Sequence, residues 1–296
     1  MATLTGNNGL LQKATTAKKE NEEAKELELI KLAVSAAKLD GQGSITKDNL
    51  ESELKSNFGD NKEVFENNTF FYCNGYRIYK DGRVDEGKLL PDEYQQVEYI
   101  QSSGTQYIDT NLKASEHPNI IVEIEGSLIN INYQCVFGVG FHKDWNQNNS
   151  WISIGCGKNS NFIAQNGIAG KEENIETADK NKHTFILDTV SSIGKVDHNL
   201  KLLNSENRKD INYNYVIFAL NFDGSILDKA SFKMSSCKIT ENEKNILNLI
   251  PCYSTTIVTD VNGIEKPKDT IGLYDTVNNK FYVNKGTGIF IKGPEV

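Results

Sequence analysis

A change of period along the chain constrains its fold more than any other feature. From Tyr94 onward no long amphipathic helix can be drawn. The sequence breaks instead into short apolar runs set off by Gly, Asn and Asp: "TQYIDT", "NIIVEIEG", "CVFGVGF", "SWISIG", "NFIAQNG", "HTFILDTV", "YVIFALNF", "ASFKMSSCKIT", "DTIGLYDT" and "NKFYVN". Runs of this length with frequent turn residues predict a β-sandwich or jelly roll. In "NIIVEIEG", Ile120, Val122 and Ile124 alternate with Glu123 and Glu125, as a strand with one wet face requires. The dipeptide Asn278-Asn279 predicts a hairpin turn.

Before Tyr94 the apolar positions follow a helical spacing. Leu27, Ile30, Val34 and Ala37 recur every three or four residues among Lys and Glu, so residues 7 to about 39 read as one long helix ended by Gly41 and Gly43. A second helix is predicted from about Thr46 to Phe58, with Thr46 accepting from a free backbone N–H, Asp48 in the first turn and Gly59 as the stop. Its buried stripe is Leu50, Leu54 and Phe58. The runs "TFFYC", "YRIYK" and "RVDEG" then read as short strands separated by Asn74-Gly75 and Asp81-Gly82. Gly87 and Pro91 mark a linker in "GKLLPDEYQ", residues 87 to 95. The expected fold class is α+β. A long helix with a small antiparallel sheet occupies residues 1–88, and an all-β jelly-roll sandwich follows in residues 89–296.

The length of 296 residues suits two domains on the usual scale of roughly 100 to 200 residues each. A net charge of −8 argues against nucleic acid, whose phosphates such a surface repels. No apolar run is long enough to span a bilayer, and no charged-then-apolar leader opens the sequence. The five cysteines show neither a CxxC pair nor a Cys/His ligand spacing, and most sit in strand-like runs as small buried hydrophobes. If the protein works outside the cell, Cys237 and Cys252 are the pair that could bridge, since they flank the single connection "KITENEKNILNLIP"; five free thiols are the alternative.

Two stretches resemble known families. "ATLTGNNGLLQKATTAKKENEEAKE" is similar to the segment that follows the membrane-spanning half of the N-terminal helix in type IV pilins and pilin-like proteins of Gram-positive bacteria. The resemblance covers residues 2 to 40 and, more loosely, the α-then-β order to residue 86. It implies a leader and an apolar helical half preceding Ala2, and assembly with other pilin subunits through that helix. The membrane would be met only through that upstream segment. The second resemblance rests on "LLPDEYQQVEYIQSSGTQYIDTN", "YVIFALNFDGSI", "SCKIT", "NLIPCY" and "IGLYDTVNNKFYVNKGTGIFIKG". These are similar to a module of surface and phage-derived proteins of gut bacteria, among the laminin-G-like or concanavalin-like jelly rolls. Such sandwiches host lectins, adhesins, hydrolases and spacers, so the resemblance speaks to fold before function.

The chemistry read from the residues favours binding over catalysis. Glu123 and Glu125 share a face, but the third carboxylate of an E-x-D-x-x-E hydrolase pattern is replaced by Leu128, and the pair reads as a solvated outer face. His117, His142, His183 and His198 show no metal spacing and read as surface or loop residues. "GVG" at 138 to 140 reads as a strand end, not a phosphate loop. No catalytic residue, metal site or cofactor is assigned. "FHKDWNQNNSW", residues 141 to 151, gathers both tryptophans in a polar run, the composition of a sugar-binding groove. The candidate ligand-binding residues are His142, Asp144, Trp145, Asn146 and Trp151. Trp151 is expected on the face opposite Ile152 and Ile154. In "DVNGIEKPKD", Asp260, Asn262 and Glu265 offer oxygen ligands without the full spacing of a calcium loop.

The expected function is a minor or tip-associated type IV pilus subunit, extracellular on the cell surface, displaying a lectin-like domain for adhesion to a glycan or host ligand. The alternatives are a surface or phage-type carbohydrate-binding module and, more distantly, a glycoside hydrolase.

Overall fold

The structure, a computed structural model, describes residues 24–59, 64–66, 70–73, 76–86, 90–91, 93–141, 150–168, 172–205 and 210–296. The chain divides into two compact units, Met1–Leu89 and Leu90–Val296.

In the first unit, residues 24–40 form helix α1 and Lys47–Phe58 form helix α2. The part of the expected long helix from residue 7 to residue 23 lies outside the described residues. The close of α1 is a Schellman motif: Gly43 N–H donates to Lys38 O at 2.8 Å and Gln42 N–H to Leu39 O at 3.1 Å, with Gln42 at φ 52°. Gly41 is needed there because a Cβ would lie 1.9 Å from Ser44 O. Helix α2 starts with a capping box. Asn49 N–H donates to Thr46 Oγ1 at 3.3 Å, and Thr46 N–H donates to Asn49 Oδ1 at 2.8 Å. Gly59 ends it at φ 77°. Four strands follow as one antiparallel sheet in chain order, β1 (Phe65–Glu66), β2 (Phe70–Cys73), β3 (Tyr76–Tyr79) and β4 (Val84–Glu86). The unit's core gathers Ile30, Ala33, Val34 and Ala37 with Leu50, Leu54, Phe71 and Ile78, while Phe58 is half-buried at its margin.

The second unit is a β-sandwich, with strands numbered in chain order. Among the described residues one sheet runs β12 (Glu173–Thr177), β11 (Asn161–Ile168), β10 (Ser150–Cys156), β9 (Gln134–Phe141), β16 (Asn214–Ile217), β7 (Ile108–Lys113). The short strand β17 (Leu220–Phe222) pairs with β9 and with β18 (Ser225–Leu227). The other sheet runs β15 (Asn199–Leu202), β14 (Ile193–Val196), β13 (His183–Asp188), β8 (Ile120–Leu128), β19 (Ser231–Glu241), β20 (Lys244–Ser254), β23 (Ile271–Asp275), β24 (Lys280–Val283). Flanking it are β5 (Tyr94–Gln96) on β20, β6 (Ile100–Ser103) on β19, and β25 (Ile291–Lys292) on β6. A small hairpin pairs β21 (Val258–Thr259) with β22 (Glu265–Lys266).

Between the sheets, Val122, Ile124, Phe185, Phe232 and Ile239 from one side meet Phe137, Ile152, Ile154, Phe162 and Ile217 from the other. In β8 the residues at 120, 122 and 124 are buried, Glu123 is exposed and Glu125 forms an ion pair with Lys182 at 2.6 Å, so this carboxylate pair lies on the outer face. The run read as one strand from "YVIFALNF" is two, because Phe218 sits at φ 65° and breaks it. "GVG" lies inside β9, not at a strand end. The expected linker is partly structured: Tyr94 already belongs to β5, its ring 4.7 Å from that of Tyr274. The two ends of this unit adjoin. Val97 bridges Glu295, Glu98 N–H donates to Pro294 O at 2.9 Å, and Ile291 pairs with Gln101.

All five cysteines are buried and unbridged. Cys237 on β19 lies opposite Leu249, three residues before Cys252 on β20. An odd offset turns the two side chains to opposite faces, so of the two alternatives left open by the sequence the free thiols hold.

Candidate functional site

The outer face of the β9–β10–β11 sheet carries a groove lined by described residues. Pairing of β10 with β9 sets Ile152 against Val139 and Ile154 against Phe137, all in the core; Trp151 and Ser153 therefore face outward against Gly140 and Gly138. The glycines make room for large neighbours. A Cβ at Gly140 would lie 2.7 Å from Phe222 and 2.9 Å from Trp151, and one at Gly138 would lie 2.7 Å from Cys135 Sγ. Trp151 is half-buried and meets Phe222 edge-on at 5.6 Å. Its indole Nε1–H is shielded from solvent and donates to no acceptor among the described residues.

Beside Trp151 lies a shallow depression, which Tyr133, Ser153, Gln165, Glu172, Leu220 and Asp228 also line. Burial, with the nearby carboxylates of Asp228 and Glu172, pushes the Tyr133 hydroxyl up to about 12. Burial also holds the Asp228 carboxyl above the usual carboxylate range, opposed by Lys158, whose ammonium lies 5.5 Å over the Tyr133 ring. Cys135 lines the same groove but is no nucleophile: burial raises its thiol, which donates to Phe137 O at 3.2 Å. Aromatic rings, a hydroxyl and carboxylates thus converge on one depression, with Gln165 buried beneath it, a set suited to a polyhydroxylated ligand.

Of the residues named from sequence, Trp151 lies in this groove, whereas His142, Asp144, Trp145 and Asn146 lie outside the described residues. Tyr133, Gln165, Glu172 and Asp228 were not anticipated. They come from separate turns and strands, and the one local signal was the alternation of Gly138 and Gly140 with core residues.

Two histidines read as surface or loop residues are in fact half-buried and paired. His117 Nδ1 lies 2.9 Å from Glu241 Oε2. His183, whose side chain is 11% exposed, places Nδ1 2.7 Å from Asp197 Oδ2 and Nε2 2.8 Å from Asp179 Oδ1. In "DVNGIEKPKD" the Asp260 carboxylate is already engaged, taking the N–H groups of Asn262 and Ile264 and lying 3.2 Å from Lys266 Nζ.

No known family's profile matches the chain, and no curated protein matches it. Solved structures of the NanB sialidase do. A NanB complex with Optactamide is 11% identical over 70% of this chain and 39% of that one, with a TM-score of 0.32. NanB from Streptococcus pneumoniae bound to 2-[(3-chlorobenzyl)ammonio]ethanesulfonate is 11% identical over 67% of this chain, and its K499G mutant 12% identical over 67%, both with a TM-score of 0.31. The chain spans 39% of the length of each. Likeness at this level carries no argument about fold or activity.

Proposed function

We propose that the protein is a surface-display protein whose sandwich binds a glycan in the groove at Trp151. The observation that carries this reading is the convergence of Trp151 and Tyr133 with Ser153, Gln165, Glu172 and Asp228 on one outer sheet face. A sugar ring offers an apolar face for stacking and hydroxyls for Ser153 and the carboxylates. In the same reading the sandwich is a laminin-G-like or concanavalin-like jelly roll, supported by non-sequential neighbours such as β8 beside β19 and β9 beside β16. The first unit is then the proximal part of a minor or tip-associated type IV pilin-like subunit, supported by the order of α1 and α2 before a small sheet. Reading the residues encoded upstream of Ala2 tests the pilus part: an apolar helical half behind a basic leader is expected, and its absence removes the assignment.

A glycan array probed with the full chain, followed by titration of the best hit, tests the binding part. A saturable hit weakened at least tenfold by Trp151→Ala is expected. A broad array with no hit would end the lectin reading. One observation favours a second reading, a glycoside hydrolase: Glu172 and Asp228 share the groove, and Asp228 has the raised carboxyl a general acid uses. Turnover of the bound glycan, abolished by Asp228→Asn, would select it.

A further inference from the structure

We propose that Glu176, His183 and Asp197 form a binding site for a divalent transition-metal ion that joins the two sheets of the sandwich. The three side chains come from separate places. Glu176 lies on β12 of one sheet, His183 opens β13 of the other, and Asp197 occupies the β14–β15 turn. One ligand atom from each falls within 4.8 Å of the others. Atoms bound to a common zinc at about 2.0–2.2 Å lie roughly 3.4 Å apart, so an ion seated here would replace the 2.7 Å hydrogen bond between His183 Nδ1 and Asp197 Oδ2 and draw in the Glu176 carboxylate.

The surroundings match what a metal-bound histidine requires. Nδ1 faces Asp197 at 2.7 Å, and on the other side Nε2–H has the Asp179 carboxylate at 2.8 Å. A carboxylate holding the far N–H fixes the ring, so an ion that displaces the hydrogen bond to Asp197 meets the Nδ1 lone pair. The ligand carboxylates are themselves held. Asp197 Oδ1 accepts from Thr184 N–H at 2.9 Å, and Glu176 Oε2 accepts from Asn199 Nδ2 at 2.6 Å. Phe162 lies edge-on behind the imidazole at 5.0 Å, while the Asp197 side chain stays 40% exposed, so the cluster has an apolar back and an open front. One imidazole with two carboxylates and room for water selects zinc, cobalt or manganese over calcium, which would take oxygen ligands alone.

The test uses the full chain without a histidine tag, stripped with EDTA. Calorimetric titration with Zn²⁺ should show one saturable site, and Co²⁺ should give a visible absorption band. His183→Gln and Asp197→Asn should each weaken Zn²⁺ binding at least tenfold, and Asp179→Asn, which leaves all three ligands, should weaken it about 10- to 100-fold. His117→Gln should leave binding unchanged, and unaltered circular dichroism establishes that each variant folds. Excess Ca²⁺ should not compete. Absence of saturable Zn²⁺ binding, or binding that survives in folded His183→Gln, overturns the site and leaves an ion-paired histidine between two aspartates.

Discussion

Replacing Trp151 by Phe should stabilise the protein, an unusual direction for the loss of a large aromatic. Two effects compete. The shorter side chain gives up roughly 50 Å² of apolar surface, about half of it buried, which at about 25 cal/mol per Å² costs about 0.6 kcal/mol. Against this, the shielded Nε1–H that finds no acceptor among the described residues disappears. An orphaned buried donor costs about 1–3 kcal/mol. The edge contact with Phe222 survives, since a phenyl ring occupies the same position over Gly140. The net expectation is a gain of about 0.5–2 kcal/mol. Trp151→Ala loses the aromatic pair as well and should be less stable than Trp151→Phe by about 1–3 kcal/mol. Urea denaturation of the three proteins, with unchanged slopes, measures both differences. If Trp151→Phe is destabilised by more than about 1 kcal/mol, the indole is packed more tightly than its half-buried position implies, and the orphan-donor argument fails.

Asp228 should make stability depend on pH. A carboxyl whose value rises on folding holds its proton more tightly folded than unfolded. Its ionisation therefore costs stability above the raised folded value, and the cost vanishes below the unfolded value of about 3.9. Asp228→Asn should accordingly melt higher than the parent at neutral pH, with the gap closing near about pH 4; a gap unchanged with pH would refute the burial argument. Thr46→Ala removes the acceptor for Asn49 N–H and should cost the first unit about 1 kcal/mol, read from its denaturation midpoint. A thiol reagent should titrate five groups after denaturation without reductant and react only slowly before it, because every cysteine is buried and unbridged. Three denatured thiols would reveal a disulfide.

Sequence legibility followed local periodicity. Residues 120–124 betrayed their strand by alternation, and Thr46 and Gly59 betrayed both ends of α2, because in each case the signal lies within a few residues. Strand β15 was missed since all four of its residues are exposed and no alternation marks it. The break at Phe218 was invisible because a buried Phe at positive φ contradicts its own propensity and is held by tertiary hydrogen bonds, its N–H to Val136 O and its carbonyl to Ala230 N–H. The same division holds at the groove. The outward direction of Trp151 followed from its parity with Ile152 and Ile154, whereas Tyr133, Glu172 and Asp228 reach it only through strand order.

The adjoining ends of the sandwich have a mechanical consequence. Residues 97–101 and 291–295 run antiparallel with the chain's entry and exit at the same edge. Tension applied between entry and exit would open these pairs one after another, as a zipper, at low force. Tension entering at residue 90 and leaving through a point on the β10 face would not load the two ends against each other. A tether at the entry alone is the attachment under which this sandwich resists being pulled apart. The same adjacency makes a short loop from residue 296 to residue 90, with new ends in an exposed turn such as residues 242–243, a permutation the fold should tolerate.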